Sequence, residues 1–371
     1  MTACRRVALF AVVALALGLG ACGAPGGTTA AKPQGAATVA PAAGGAPSGA
    51  GAAAPAGASA APAPSRPKEP LTFGIPQRGL NYIVPTVASA LGYFDEAGLD
   101  VDTQVLVSNL SVAAMQRGDM QITGAGGSSI RAAVQGAPFT LLAFMTVRPT
   151  YYLMTVPELR SPSQLGGKRI GVNNIGGTLH FFAEMYAREL GLEPSQITFL
   201  ALGPNQAQHL AAMAAGALDG SVLDPGTAAV GESQGYYLLK SLGEVAPNPQ
   251  QGMVVTNEYL QKNPQQVQGF LKALVRALLF VQQNPREAAA IGRQESGFEL
   301  DEALAQRALQ LYSEAISKEA PGYANAKELE AFYEYDIRIP LELPPGQPIP
   351  AYHDFRPLLA AYDELGLPRP R

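Results

Sequence analysis

Met120-Gln121-Ile122-Thr123-Gly124-Ala125-Gly126-Gly127-Ser128-Ser129 is a short apolar run that opens onto small residues just before a helical segment. A strand whose carboxyl end breaks into glycine and then starts a helix is the building unit of an open α/β sheet. Working outward in both directions gives the same alternation. Leu71 to Ile75 reads as a strand, Asn81 to Leu91 as a helix, Val101 to Val107 as a strand and Ser111 to Arg117 as a helix. Past the quoted stretch, Ser128 to Gln135 reads as a helix and Phe139 to Val147 as a strand. This βαβαβαβ order predicts a mostly parallel sheet covered by helices on both faces. After a strand-like piece, Tyr151 to Val156, the pattern restarts. Arg169 to Asn173, Ile197 to Leu202 and Gly220 to Leu223 read as strands, with Thr178 to Leu190 and Gln206 to Ala215 as helices between them. Two α/β lobes are expected.

An internal echo links them. Met115-x-x-Gly118 leads into the quoted strand and its glycine loop, and Met213-x-x-Gly216 leads into Ser221-Val222-Leu223 and then Asp224-Pro225-Gly226-Thr227. The last third is helical. Asn263-Pro264 and Asn284-Pro285 are each an N-cap followed by proline at the first helical position. Between them Val267, Phe270, Leu271, Leu274, Leu278 and Val281 form an apolar stripe at spacings of three and four. Leu304, Leu311, Tyr312 and Ala315 mark another helix, and Pro340 to Pro350 with the tail to Arg371 reads as an extended surface strap. No chemistry is assigned to these parts.

The N-terminus has a different character. Arg5 and Arg6 precede the apolar run Val7 to Leu19, which is the length of an export signal and too short for a permanent membrane helix. It closes on Leu19-Gly20-Ala21-Cys22, which resembles a bacterial lipobox and implies a lipid on Cys22. A cleaved secretory peptide with an incidental cysteine is the alternative. From Gly23 to Pro64 the chain is almost wholly Ala, Gly, Pro, Ser and Thr, a composition that cannot bury enough apolar surface to offset its ordering entropy. Such a spacer reaches roughly 35–40 Å. The expected division is therefore a signal over 1–21, lipidated cysteine and linker over 22–69, a first lobe over 70–155, a second over 156–246, and a return to the first lobe over 247–371.

Composition excludes several functions. With 26 basic and 30 acidic residues the whole chain carries −4, and losing Arg5 and Arg6 with the signal leaves −6. A mildly acidic domain without a basic stripe is a poor match for nucleic acid. Beyond Cys22 there is no cysteine, so the exported part relies on its core rather than disulfides. His180, His209 and His353 have no His or Cys neighbour at metal-ligand spacing, and no G-x-S-x-G, H-E-x-x-H or phosphate-loop motif occurs. Arg117-Gly118-Asp119 spells an adhesion tripeptide but reads more simply as a glycine ending a helix. No metal, cofactor or catalytic residue is expected.

The chemistry on offer sits in loops at the carboxyl ends of strands, the edge of an open α/β sheet where ligands bind. Gly126-Gly127-Ser128-Ser129 in the first lobe and Gly176-Gly177-Thr178 in the second each open a helix, whose free N–H groups suit an anion. Ordinary capping by Ser128 or Thr178 is the competing reading for either loop alone. One such loop per lobe favours a solute between them. Gln77, Arg78, Asn81 and Tyr82 follow the first strand, and Ser108 and Asn109 the second. Arg148, Tyr151 and Tyr152 stand where the chain leaves the first lobe. Arginine binds carboxylate or sulfonate through two parallel hydrogen bonds, and tyrosine adds a flat wall with a polar tip. For Arg148 the alternative is a structural ion pair across the hinge. Asp224 reads as a helix N-cap or as a partner for a ligand amine.

Gly92-Tyr93-Phe94-x-x-x-Gly98-Leu99-x-Val101, Leu165-Gly166-Gly167-Lys168-Arg169-Ile170-Gly171-Val172 with Gly176-Gly177-Thr178, Gly191-Leu192, Gly216-x-x-Asp219 and Asn257-x-x-x-x-x-Asn263-Pro264 carry a family resemblance. Over most of Leu71 to about Glu314 the chain resembles the periplasmic binding proteins for nitrate, sulfonates, taurine and thiamine-pyrimidine precursors. The resemblance implies a two-lobed type II periplasmic-binding-protein fold with two hinge strands, closing on a small solute and delivering it to an ABC permease and its ATPase. Two positions depart from the pattern: Gln121 stands where the first lobe usually has Asp, and the second lobe has Asp224-Pro225-Gly226. The resulting expectation is a monomeric, lipid-anchored, extracytoplasmic solute-binding protein, with Arg78 and Arg148 tilting it toward a small organic anion. A pyrimidine-synthase-like enzyme and a ligand-sensing lipoprotein not coupled to transport are the alternatives.

Overall fold

The computed structural model describes residues 67–370, apart from 77, 107, 174, 176–177, 204, 246, 296–298, 347 and 349–350. Among the described residues are ten strands, the first eight where the sequence places them and the last two not foreseen: β1 (Glu69–Ile75), β2 (Leu99–Val105), β3 (Ile122–Thr123), β4 (Phe139–Thr146), β5 (Tyr152–Thr155), β6 (Arg169–Val172), β7 (Thr198–Ala201), β8 (Gly220–Leu223), β9 (Tyr237–Ser241) and β10 (Gln250–Thr256). They form two five-stranded sheets, ordered β2-β1-β3-β10-β4 and β7-β6-β8-β5-β9. In the first sheet β1 is parallel to β2 and β3, while β10 runs antiparallel to β3 and β4. In the second, β6 is parallel to β7 and β8, while β5 runs antiparallel to β8 and β9. The two lobes thus repeat one design, each with an antiparallel strand in fourth place that arrives from the other lobe.

That arrangement moves one expected boundary. The first lobe was expected to run to residue 155, but β5 is hydrogen-bonded between β8 and β9 in the second sheet. The crossing therefore lies just before it, at Val147–Tyr151. A four-residue strand that is buried throughout has no polar face to show which sheet it belongs to.

The sequence echo corresponds to equivalent positions. β3 and β8 occupy the third place in their sheets, each after a helix ended by a left-handed glycine, Gly118 (φ 81°) and Gly216 (φ 68°). Three residues on, Asp219 accepts the Arg169 backbone N–H at 2.8 Å and its guanidinium at 3.0 and 3.1 Å. In the first lobe Gln121 Oε1 accepts the Thr72 backbone N–H at 2.7 Å. An amide oxygen replaces the carboxylate in the same strand-pinning role, which explains why the departure at Gln121 is tolerated.

The predicted apolar stripe lies on the helix Pro264–Gln283, and Val267, Phe270, Leu271, Leu274, Leu278 and Val281 are all fully buried. Each such side chain contributes about 1.5–3 kcal/mol relative to exposure. Phe270 packs at 5.2 Å from Phe73 and stacks at 5.3 Å on Phe94, so the aromatic of the Gly92-Tyr93-Phe94 motif is a core anchor. The C-terminal strap is only partly extended. Leu141 and the 352–354 segment exchange backbone hydrogen bonds (2.8 and 2.9 Å) along the free edge of β4, and the chain then forms the helix Arg356–Leu365. Its Leu358, Ala361 and Tyr362 join the first-lobe core at i, i+3 and i+4. No helix among the described residues is long and apolar enough to cross a membrane.

The helix Glu302–Ser313 departs from a pure scaffold role in one lobe. Ala305, Ala308, Leu309 and Tyr312 belong to the first-lobe core, whereas Leu311 packs with Tyr152, Met154, Leu223 and Ala228 of the second. The chain thus ties the lobes together a third time, beyond the two crossings.

Candidate functional site

The quoted stretch does build a helix start at a strand end. The helix Gly126–Val134 begins without any side-chain cap on its first turn, so its leading N–H groups are left to another partner. Gly126 is required by a close approach: a Cβ there would stand 2.7 Å from the Gly252 backbone of β10. Ser128 Oγ accepts from Arg131 at 3.1 Å, and Ser129 is fully buried with its hydroxyl unpartnered. Ordinary capping is therefore not what these serines do.

Several groups gather around this helix start. A Cβ on Gly127 would lie 3.1 Å from Asp336 Oδ1. Arg131 Nη1 donates to the Asp336 carbonyl at 2.7 Å, and Asn248 Nδ2 donates to Asp336 Oδ2 at 2.8 Å. Burial pushes the Asp336 carboxyl above its ordinary range, against hydrogen bonding from Asn248 and the opposing charge of Arg131. Tyr82 is buried and donates to the Gly124 carbonyl at 3.1 Å. Burial pushes the Tyr151 hydroxyl up to about 12, reinforced by the charges of Asp336 and Asp224. Tyr312, fully buried, is raised by burial and by Tyr82, and its hydroxyl has no partner. Tyr82, Gly127, Tyr151, Asp224, Asn248, Tyr312 and Asp336 thus come from both lobes and from the C-terminal helices into one neighbourhood.

In the second lobe Asp224 caps the helix Pro225–Ser233, accepting from the Thr227 N–H at 2.8 Å, while its own N–H donates to Gln206 at 2.7 Å. Burial raises its carboxyl, against the hydrogen bonds from Thr227 and Gly226. With Gly226, Thr227, Val230 and Leu300 it also lines a cavity of about 340 Å³. Tyr151 lies 6.2 Å from Phe182 of the helix Thr178–Glu189.

The other expected residues are spread more widely. Asn81 is half-buried with an unpartnered Oδ1, whereas Ser108 and Asn109 begin the helix Ser108–Arg117, half-buried and exposed. Arg78 is exposed and lines a separate cavity of about 350 Å³ with Thr86, Thr103 and Glu295 beside the edge strand β2. Arg148 is exposed too, and its charge acts on Tyr152 and on Glu328. Tyr152 spends its hydroxyl on the Leu311 carbonyl at 2.7 Å and serves the scaffold. Gln77, Gly176, Gly177 and Cys22 lie outside the described residues.

Sequence reading missed Arg131, Asn248, Tyr312 and Asp336. Arg131 is one helical turn beyond Ser128, and that spacing was a usable signal. Asp336 sits in a π-helical turn, Tyr333–Arg338, a geometry that recurs at functional sites and that the sequence Tyr-Glu-Tyr-Asp-Ile-Arg does not announce. A further local oddity is Gln251, a non-glycine residue at φ 50° where β10 leaves the crossing. Among the described residues no group of three or more His, Cys, Asp or Glu could hold a metal ion.

A family model described as NMT1/THI5 like matches residues 81–288, more than half of the chain. Among curated proteins no sequence match was found. Solved structures with a similar fold include the periplasmic sulfonate-binding protein SsuA from Methylobacillus flagellatus KT, at a TM-score of 0.64 and 15% identity over 81% of this chain and 96% of that one. The periplasmic nitrate-binding protein NrtA from Synechocystis PCC 6803 matches at 0.55 and 14% over 81% and 90%. The desulfurization enzyme DszB, in complex with biphenyl-2-sulfinic acid, matches at 0.57 and 15% over 80% and 99%. At these identities the likeness is one of fold.

Proposed function

The chain belongs to the NMT1/THI5-like family, and from that premise we propose that it is an extracytoplasmic solute-binding protein of an ABC importer. The observation that carries the reading is the meeting of Tyr82, Tyr151, Asp224, Tyr312 and Asp336, drawn from both lobes and the C-terminal helices, within electrostatic reach of one another. Ser129 Oγ, Asn81 Oδ1, Asn248 Oδ1 and Tyr312 OH are shut from water with no hydrogen-bond partner among the described residues. Leaving one such atom unpaired costs about 1–3 kcal/mol, so Asn248 Oδ1 beside Asp336 and Tyr312 OH beside Tyr82 mark places that a solute completes. Asn81, Tyr82, Gly126 to Ser129, Tyr151 and Asp224 are the proposed contacts. Binding would favour the closed arrangement through contacts to both lobes at once.

The sulfonate- and nitrate-binding proteins named above support delivery to a permease and its ATPase, and the lipobox supports an anchor at Cys22. DszB shows that the same fold also serves an enzyme, so the test must separate capture from turnover. A true solute at ~100 times its dissociation constant stabilises the protein by about 2.7 kcal/mol, a rise in melting temperature of roughly 4–8 °C. Recovery of the compound unchanged is the expected result. Its conversion would replace the binding reading with an enzymatic one.

A further inference from the structure

The charge and hydrogen-bonding sense of the solute follow from which atoms at the site lack partners, granted the solute-binding reading above. Asn248 is 1% exposed and lies on the return crossing between the lobes. Its Nδ2 donates to Asp336 Oδ2 at 2.8 Å, and reversing the amide would set two oxygens against each other. The orientation is therefore fixed, and the atom left unpartnered is the oxygen, which can only accept. Asn81 Oδ1, also unpartnered, is a second acceptor. The hydroxyls of Ser129 and Tyr312 can serve in either sense.

The charges agree. Asp336 lies against the first turn of the helix Gly126–Val134, so a carboxylate of the chain itself already stands at the helix start where an anion would be drawn. Asp224 adds a second acid from the facing lobe. Against them stands Arg131, whose two Nη atoms are engaged by the Asp336 carbonyl and by Ser128 Oγ. Arg78 and Arg148, the arginines that favoured an anion in the sequence, are exposed elsewhere.

We infer that the solute presents N–H donors, on a neutral or cationic group, to Asn248 Oδ1 and the Asp336 carboxylate, and is not a simple sulfonate, carboxylate or nitrate. A fully ionised sulfonate or nitrate has no proton to donate, would leave Asn248 Oδ1 unpaired and would lie beside the Asp336 carboxylate, which already accepts from Asn248 Nδ2. An amidine or a guanidine meets them, and the half-buried Tyr151 supplies a flat wall for an aromatic ring that carries it.

A matched series on one ring tests this: benzamidine, benzoate and benzenesulfonate, with nitrate alongside, measured by thermal shift and calorimetry on the folded chain. Benzamidine alone should bind. Asp336→Asn should weaken it by ~10-fold or more and narrow or reverse its advantage over benzoate, an effect a merely structural aspartate would not produce. Asn248→Ala provides a second variant should Asp336→Asn fold poorly, and the unliganded melting temperature of each reports on folding. Preferential binding of benzoate, benzenesulfonate or nitrate overturns the donor inference and leaves solute binding intact. No binding by any of the four also overturns the donor inference, and solute binding is then decided by the thermal-shift test on other compounds.

Discussion

Arg307 grips Glu232 at two points, Nε to Oε2 at 2.7 Å and Nη2 to Oε1 at 2.9 Å, joining the C-terminal helix Glu302–Ser313 to the second-lobe helix Pro225–Ser233. A clamp hinged only at its two crossings would leave these helices free of each other. Here, opening must either break this fork or carry the C-terminal helix along with the second lobe.

The pair is partly exposed, with side-chain accessibilities of 38% and 28%, so its net worth is modest. A double-mutant cycle over Arg307→Ala and Glu232→Ala should give a coupling of about 0.5–1 kcal/mol that shrinks in high salt. Arg307→Lys should recover little of it, because an ammonium cannot make the two-point contact. Additive single and double mutants would show that the fork contributes nothing in solution.

Gly126 and Gly127 are adjacent but face different neighbours. Gly126→Ala drives a Cβ to within 2.7 Å of the Gly252 backbone, which cannot swing aside as a side chain would. A loss of about 1–3 kcal/mol, with a clear fall in denaturant midpoint, is expected. Gly127→Ala meets the Asp336 carboxylate at 3.1 Å instead, so it should disturb solute affinity more than stability.

The acids set opposite pH trends. Asp336 and Asp224 are raised by burial, so their contribution to stability is full below the ordinary carboxylate range and is lost as pH rises through their native values. Asp219 is lowered, chiefly by the Arg169 hydrogen bond, so its contribution holds above the ordinary range and is lost as pH falls through its native value. Unliganded protein should therefore gain stability on mild acidification from about pH 7, then lose it below about pH 4. In Asp336→Asn the mild-acid gain should shrink and the neutral-pH stability should rise. Equilibrium unfolding across that range, for both proteins, measures it.

Arg148 offers a sharp contrast with the buried acceptors. Being exposed, with its charge acting on Glu328, it should tolerate replacement by alanine with unchanged solute affinity. A loss of affinity in folded Arg148→Ala would return this residue to the site.

The proposed anchor is tested apart from the fold. Cys22→Ser should move the protein from the membrane fraction to the soluble one while leaving solute binding as it was, because acyl chains supply the attachment. Persistence in the membrane after a high-salt wash would show that something else holds it there.

Much of the scaffold was legible before any coordinates. The alternation around Leu71 to Val147 and again around Arg169 to Leu223 predicted seven strands closely, since period-two and helical patterning are local properties of a half-buried chain, whereas β9 and β10 were not read from the sequence. The stripe from Val267 to Val281 was legible for the same reason. β5 was seen as a strand but assigned to the wrong lobe, because burial on all sides erases the pattern that reveals a strand's partners. The tail was read as a strap, and the helix Arg356–Leu365 was missed behind its prolines and short apolar face.

The sequence by itself determined the two α/β lobes, the family, and the glycine loop of residues 124–127 as a strand end that opens into a helix start. Those depend on residues near one another in the chain. Only the tertiary structure decided what that loop faces. Asp336 is more than two hundred residues from Gly127, and Asn248 more than a hundred, yet one stands within van der Waals reach of it and the other hydrogen-bonds to its neighbour. Which polar atoms are left without partners is a property of the packed molecule, since each unpaired oxygen is defined by everything that surrounds it. For that reason the sequence pointed to an anion through two arginines, and the fold set those arginines in solvent and two acids in their place.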